Sequence, residues 1–265
     1  MEKLDIILLT HNNLMATTRC IDALYKNTGI KFQLTVIDDS TDLTPAYFKR
    51  LAKEKGNINY VRPEEKIVSG NQPINIGLKL TKSDPVAYLI CSAFVEPDWL
   101  GISITPQGDA PFAIRLFEKD SRVGMVGFKI ISPETNTIIE AGDHVLLDTR
   151  AINIGRGEPS HHHVRVIGVN AIAFCAILMR RAAIPKGGWD ESTYIGFRGV
   201  EDIDNCLTIR KAGWRILYNG FGSVYHEPHG SDPKYANEKV KDEMLENHRR
   251  FSNKWFGKIP LAGDA

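Results

Sequence analysis

Four short apolar runs in the first ninety residues limit the fold more than any other feature of this chain. They are residues 4–9, 32–37, 58–61 and 86–90. The first two are apolar enough to predict strands buried in a parallel sheet, and the other two predict a short third strand and a fourth. Between them lie segments of helical pattern at 14–26, 45–55 and 73–81. Gly29 closes the first, and Pro45 stands in the opening turn of the second. Strands that alternate with helices at this spacing argue for an α/β domain, a mostly parallel sheet flanked by helices. Ligands of such sheets bind beyond the carboxyl ends of the strands. That sets residues 10–13, 38–42 and 91–94 along one rim.

A second constraint lies at residues 187–226, GGWDESTYIGFRGVEDIDNCLTIRKAGWRILYNGFGSVYH. A Gly-Gly-Trp-Asp-Glu turn and a polar, aromatic loop precede Glu201-Asp202-Ile203-Asp204, which opens a helix through Arg210. Gly213 ends that helix, a strand at 214–218 follows, and a second short strand ends at Tyr225-His226. Three acids at a helix start suit the positive end of its dipole. Glu201 and Asp204, three apart, share a helix face, while Asp202 points away from both. One carboxylate can then face a cleft while its neighbours organise the turn.

The order GGWDE, then ED-x-D, then a helix ending R-x-x-GW, then a strand and a histidine resembles the C-terminal half of family 2 inverting glycosyltransferases. Earlier segments match that family in order. VIDDSTD at 36–42 resembles its V-D-D/N-x-S-T-D strand end, LLTHNN at 8–13 its V-T-Y-N opening, and Asn75-Ile76-Gly77 its N-x-G. Met179-Arg180-Arg181 and the F-x-x-K-W ending at 251–255 complete a match over roughly residues 4–256. Taken singly, Asp and Asn after strands are common turn residues; their order carries the resemblance.

The resemblance implies a GT-A fold, a single nucleotide-sugar-binding α/β domain over residues 1–231. Residues 1–100 would form the nucleotide half and 101–231 the acceptor and catalytic half, with a helical extension at 232–265. It implies Asp202 as general base, with Glu201 beside it. Asp38 and Asp39 would hold the nucleoside, with Thr10, Asn12, Asn75 and Ser92 assisting. Trp189, Tyr194 and Arg198 would line the acceptor side, and His226 would face a metal ion or the diphosphate. The implied partners are a nucleotide sugar, UDP- or dTDP-linked, and a hydroxyl acceptor on a glycan or polysaccharide.

The chain departs from the family at one place. Where the pattern LLLNNDTVVPPGWL carries an acidic D-x-D or N-x-D triplet, this sequence reads YLICSAFVEPDWL, and the triplet is Cys91-Ser92-Ala93. Mn2+ and Mg2+ favour oxygen ligands, usually carboxylates, and Ala93 has none to offer. Three alternatives follow: an ion held by His226 and the diphosphate, basic side chains (Lys66, Arg156 or Arg165) in its place, or a nucleotide-sugar-binding pseudoenzyme.

Composition narrows the remaining classes. A net charge of +1 gives no support for broad electrostatic binding to nucleic acid. A transferase that modifies nucleic acid would need a local patch, with Arg180, Arg181, Arg249 and Arg250 as its candidates. No G-x-G-x-x-G follows the first strand, which argues against a dinucleotide-binding dehydrogenase. Cys20, Cys91, Cys175 and Cys206 form no C-x-x-C pair and read as buried thiols of a reducing compartment, hence a cytoplasmic protein. No apolar run approaches the ~20 residues of a membrane-spanning helix. His161-His162-His163 reads as a solvated loop, because neighbours on an extended chain face opposite ways. A final helix at 235–255 carries Val240, Met244, Phe251 and Trp255 at helical spacing, which predicts docking on the domain, with a homo-oligomer contact as the alternative.

Overall fold

A computed structural model of the chain describes residues 3–97, 99–101, 112–196, 199–227 and 237–260. The first half alternates strand and helix: β1 (Leu4–Thr10), α1 (Leu14–Asn27), β2 (Phe32–Asp38), α2 (Thr44–Lys55), β3 (Ile58–Val61), α3 (Asn71–Leu80) and β4 (Val86–Ile90). Then come β5 (Ala93–Val95), α4 (Phe112–Lys119), β6 (Val123–Ile131), β7 (Ile138–Glu140), β8 (Asp143–Val145) and β9 (Ala151–Asn153). The last elements are β10 (Val166–Gly168), β11 (Ala176–Met179), α5 (Glu201–Lys211), β12 (Arg215–His226) and α6 (Glu238–Trp255).

Ten strands form one sheet whose main path runs β10-β12-β6-β11-β4-β1-β2-β3, with β5 on β12 and β7 on β6. β3, β2, β1 and β4 are mutually parallel, as are β6 and β12. β11 lies antiparallel between β4 and β6. The apolar runs serve both faces, as strand geometry requires. Leu4, Ile6 and Leu8 pack with Leu24 of α1 and Phe48 of α2 on one side. Ile7 and Leu9 pack with Ile74 of α3 and Leu207 of α5 on the other.

Two elements differ from the sequence-based expectation. The apolar stretch at 168–179, whose composition suits a strand throughout, is strand only at Gly168 and from Ala176; residues 169–175 are irregular, and the Glu140 side chain holds the Ala173 amide. The two strands expected around 214–226 are one strand, β12, with a register shift between Asn219 and Ser223. Gly220 lies inside that shift, where a Cβ would come within 1.9 Å of the His163 carbonyl oxygen. Only glycine admits so close an approach.

α6 docks on the domain. Phe251 and Trp255 are buried, and Val240 and Met244 partly so. Asp204 of α5 receives Trp255 Nε1 at 2.5 Å and Lys254 Nζ at 2.8 Å. The described helix begins at Glu238, capped by the Asn237 side chain on the Val240 amide; Tyr235 lies outside the described residues. Among the described residues no helix is long and apolar enough to cross a membrane.

Candidate active site

The rim at the carboxyl ends of β1, β2 and β4 is built around Asp38. Parallel register pairs Thr10 with Asp38, and Thr10 Oγ1 donates to Asp38 Oδ1 at 2.8 Å. The same oxygen receives the Ser40 amide at 3.0 Å, while Oδ2 takes Tyr60 Oη at 2.6 Å and Arg62 Nη1 at 3.2 Å. Four donors satisfy a carboxylate that is fully buried. Asn12 stitches two loops together. Its backbone is left-handed at φ 58, a conformation asparagine tolerates. Its Oδ1 takes the Thr41 amide at 2.7 Å, and its own amide reaches Ser40 Oγ at 2.7 Å. Asp39 differs from Asp38: it stays partly exposed, with His11 Nδ1 at 3.8 Å.

Asn75 ties α3 to the Gly-Gly-Trp turn. Its Nδ2 donates to Trp189 O at 2.8 Å and to Glu191 Oε1 at 2.7 Å, and its Oδ1 takes the Trp189 amide at 2.8 Å. Gly188, at φ +97, brings the turn so near that a Cβ would lie 2.5 Å from Asn75 Oδ1. Trp189 and Tyr194 are both buried, and the Trp189 ring meets Phe174 edge-on at 6.3 Å. Trp189 Nε1 has no hydrogen-bond partner among the described residues. The loop after Tyr194 is held by α6: Asn247 accepts the Ile195 amide and donates to its carbonyl, both at 2.9 Å. Arg198 lies outside the described residues.

At the start of α5, Glu201 and Asp204 turn inward and are buried, while Asp202 keeps partial exposure. The Asp202 carboxylate takes the Ile203 amide at 2.8 Å. Burial, followed by the nearby charge of Glu201 and then Asp143, pushes its carboxyl up to about 7. Glu140 of β7 and Asp143 of β8 complete an acidic group. Burial raises both above the usual carboxylate range, and they oppose each other's ionisation. Arg156, whose Nε donates to Asn153 Oδ1 at 2.7 Å, lies near enough to pull both back down. The Ile90 amide donates to the Cys175 carbonyl at 3.1 Å, so the irregular run before β11 meets the Cys91 rim at one end of the sheet.

β5 and β12 pair antiparallel with His226 opposite Ala93, Tyr225 opposite Phe94 and Val224 opposite Val95. Ala93 is fully buried and Ser92 nearly so. The Ser92 carbonyl accepts the Glu227 amide at 3.1 Å.

A sequence profile described as Glycosyl transferase family 2 matches residues 5–183. The chain belongs to glycosyl transferase family 2. Solved structures share its GT-A architecture. The structure of GalNAc-T7 with UDP, GalNAc and Mn2+ superposes with a TM-score of 0.67 at 14% identity, covering 99% of this chain and 53% of that one. A mannosyltransferase from Pyrobaculum calidifontis, PcManGT, in complex with GDP-Man and Mn2+ gives 0.63 at 15% identity, covering 98% and 68%. S. aureus TarS 1–349 in complex with UDP-GlcNAc gives 0.57 at 17% identity, covering 95% and 67%. The chain thus spans about half the length of the GalNAc-T7 chain, and at these identities the likeness is one of fold. No curated protein matches the sequence.

The residues present do not fit the divalent ion of such enzymes. At the position facing His226 the chain has Ala93, with no side-chain oxygen. Among the described residues no group of three or more His, Cys, Asp or Glu side chains could hold a metal. Glu96 is next to Tyr225 and Lys129, and Tyr225 pairs one residue along from His226, so it faces the other side of the ribbon. Asp98 lies outside the described residues. Of the three basic side chains considered for the ion's place, Arg156 is the one set beside the acids, while Lys66 and Arg165 are exposed on their loops.

Sequence reasoning missed four residues of this site. Tyr60 and Arg62 hold Asp38, and their signal was two polar side chains with period 2 at a strand end. Glu140 and Asp143 sit in IIEAGDHV, where the signal was a pair of acids inside an apolar run. Other candidates prove structural. Arg180 and Arg181 donate to carbonyls of Phe117, Val123, Ser83 and Leu78. Arg249 and Arg250 both pair with Glu246, so the four arginines make no open basic patch. His162 Nδ1 and His163 Nε2 each lie 3.0 Å from the same Glu158 oxygen.

Proposed function

We propose that the chain transfers a sugar from a UDP- or dTDP-linked donor to a hydroxyl of a glycan or polysaccharide, with inversion and without dependence on a divalent ion. The observation that carries this reading is the placement of Asp202, a residue of intermediate exposure in the first turn of α5 beside the buried Glu201, where burial raises its affinity for a proton into the neutral range. A general base works best with a pKa near the operating pH. Asp202 takes the acceptor's hydroxyl proton as that oxygen attacks the anomeric carbon. The bond from that carbon to the diphosphate oxygen breaks, and its electron pair leaves with the nucleoside diphosphate. Glu201 raises the basicity of Asp202 through its charge.

In this reading Asp39 contacts the nucleoside directly. Thr10, Asn12 and Asp38 hold the rim, and Asn75 and Ser92 flank the donor. His226 faces the diphosphate, and Arg156 meets part of its charge. Trp189, with its unpaired Nε1, Tyr194 and Arg198 form the acceptor side. A uridine donor is supported by the UDP and UDP-GlcNAc of two relatives. The place of work is the cytoplasm.

The test is release of UDP or dTDP from a panel of nucleotide sugars, with Asp202→Asn beside the native chain, and calorimetric titration of UDP with Mn2+ and with EDTA. Turnover lost by at least about 100-fold with UDP binding intact is expected. Retained turnover removes Asp202 from the mechanism, and binding that requires Mn2+ removes the metal independence. A second reading, a nucleotide-sugar-binding pseudoenzyme, draws on the buried Ala93 opposite His226. Donor binding with neither transfer nor hydrolysis is its signature.

A further inference from the structure

Three consecutive residues of α5 tie it to three different elements. Asp204 takes Trp255 Nε1 and Lys254 Nζ of α6. Cys206 Sγ lies 3.7 Å from the Ile172 carbonyl, in the irregular run before β11. Asn205 meets Asn71, the first residue of α3. Asn205 Nδ2 donates to Asn71 Oδ1 at 2.7 Å, and Asn71 Nδ2 donates to Asn205 Oδ1 at 3.3 Å and to the Asp190 carbonyl at 2.7 Å. Both asparagines are buried. Successive side chains leave a helix about 100° apart, so contacts at 204, 205 and 206 fix the rotation of α5 about its axis. Asp202, one turn earlier, leaves between the directions of Asn205 and Cys206. We propose that Asn205 is a positioning residue for Asp202: paired with Asn71, it sets the rotation of α5 and so the aim of that carboxylate.

This inference rests on the reading of Asp202 as the base, and it adds a pair of residues that no sequence pattern singles out. Of the three ties, Asp204 leaves the helix nearly opposite Asp202, and the Cys206 thiol is a weak donor. Asn205 is the strong tie on the side of Asp202. The start of α3 is itself bonded along the acceptor-side loop. Asn71 holds the Asp190 carbonyl, and Asn75 holds Trp189 and Glu191. Ser69, whose Oγ accepts the Asn71 amide at 3.2 Å, forms a parallel bridge with Gly196. Asn205 extends this set of bonds to the helix that carries the base. An apolar pair would fill the same space with no preferred direction, whereas two amides that each give and accept fix distance and orientation together. A buried amide parted from its partner is costly, which penalises any rotation of α5 away from α3.

Two substitutions cut the pair from its two sides with little loss of bulk, Asn205→Leu on α5 and Asn71→Leu on α3. The measurement is a pH titration of the Asp202 side-chain carbon by NMR on the full chain with labelled aspartate, the signal being assigned by its absence in Asp202→Asn. Its midpoint reports the surroundings of the carboxylate, which are its burial and the charges of Glu201 and Asp143. We expect both variants to displace the midpoint in the same direction, by about half a pH unit or more. Asn205→Leu should also lower kcat by about tenfold or more with the KM of the donor unchanged. A merely structural pair would lower the melting temperature and leave the midpoint in place. An unmoved midpoint, or midpoints moved in opposite directions, overturns the inference whatever the melting temperature; where only one variant folds, its midpoint decides. The titration needs no turnover. Failure of Asp202 as base appears separately, as turnover that survives Asp202→Asn.

Discussion

His226 stands directly across from Ala93 on the antiparallel β5–β12 pair. An ion bridging this point and a diphosphate would meet one imidazole and a methyl group. Hard divalent ions are held by oxygens, so the missing ligand is a carboxylate at position 93. Ala93→Asp should therefore create Mn2+-dependent nucleotide binding. It also places a charge where the native side chain is fully buried. Without metal the variant should lose at least ~1–3 kcal/mol of stability, the cost of an unpaired buried polar group, and more where the carboxylate is ionised, at roughly 2–4 °C per kcal/mol. Thermal melts of the variant with Mn2+ and with EDTA check this: Mn2+ with UDP should restore part of the loss, and no metal response would mean the pair does not face the diphosphate.

The raised carboxyl of Asp202 makes a second prediction. Transfer should rise with pH through about 7 as Asp202 ionises. Asp143 is among the charges that raise it, so Asp143→Asn should move the acid limb of kcat/KM to lower pH. The stability sign is opposite to that of a salt-bridged acid. The folded value exceeds the unfolded value of about 3.9, so the native chain binds the extra proton. Stability from that proton is complete below about pH 4 and is lost as pH rises to about 7. Asp202→Asn cannot ionise and escapes that loss. Its melting temperature relative to the native chain should climb between pH 4 and pH 7 while its transfer is gone; melts at pH 4.5 and pH 7.5 decide it.

The parallel half of the sheet was legible because β1, β2 and β4 are buried apolar runs bounded by helix signals, and β1 to β4 fall within a residue or so of the runs; β3, at the sheet edge, is only partly buried. Asp38 was legible as an acid at a strand end. The donors that hold it were not, because Tyr60 and Arg62 come from the next strand, 22 and 24 residues on. Asp202 was legible from the spacing of Glu201 and Asp204 on one helix. Glu140 and Asp143 sit on three-residue strands, too short to show a period. Their meaning comes from Ala173, 33 residues from Glu140. Contacts of that kind arise from topology, and one-dimensional pattern carries little of it.

The hold of α6 on the acceptor-side loop is testable at Asn247. Its side chain is fully buried and completes both backbone groups of Ile195. Asn247→Ala leaves those groups unpaired, at a cost of about 1–3 kcal/mol. Loosening that loop should lower transfer while UDP binding, which the proposed function puts on β1, β2 and α3, stays as it was. Hydrogen exchange of the Ile195 amide, with UDP titration on the same sample, is the check. Equal exchange in the two proteins would mean that the helix does not hold the loop.

Gly188 provides the last prediction, because backbone and packing both require glycine there. Its φ of +97 is rarely adopted by other residues, and a Cβ would press within 2.5 Å of Asn75 Oδ1. That oxygen accepts the Trp189 amide, so Gly188→Ala strains the turn and parts the Asn75–Trp189 bond together. Strain of this kind costs on the order of 1–3 kcal/mol, to which the lost hydrogen bond adds about 1 kcal/mol. Asn75→Ala removes that bond without the strain, together with the two that Asn75 Nδ2 donates to Trp189 O and Glu191 Oε1. If the Trp189-amide bond couples α3 to the turn, the double variant will fall short of the sum of the two singles, since that bond is already parted in Gly188→Ala. Full additivity in denaturant melts would show that the two residues act independently.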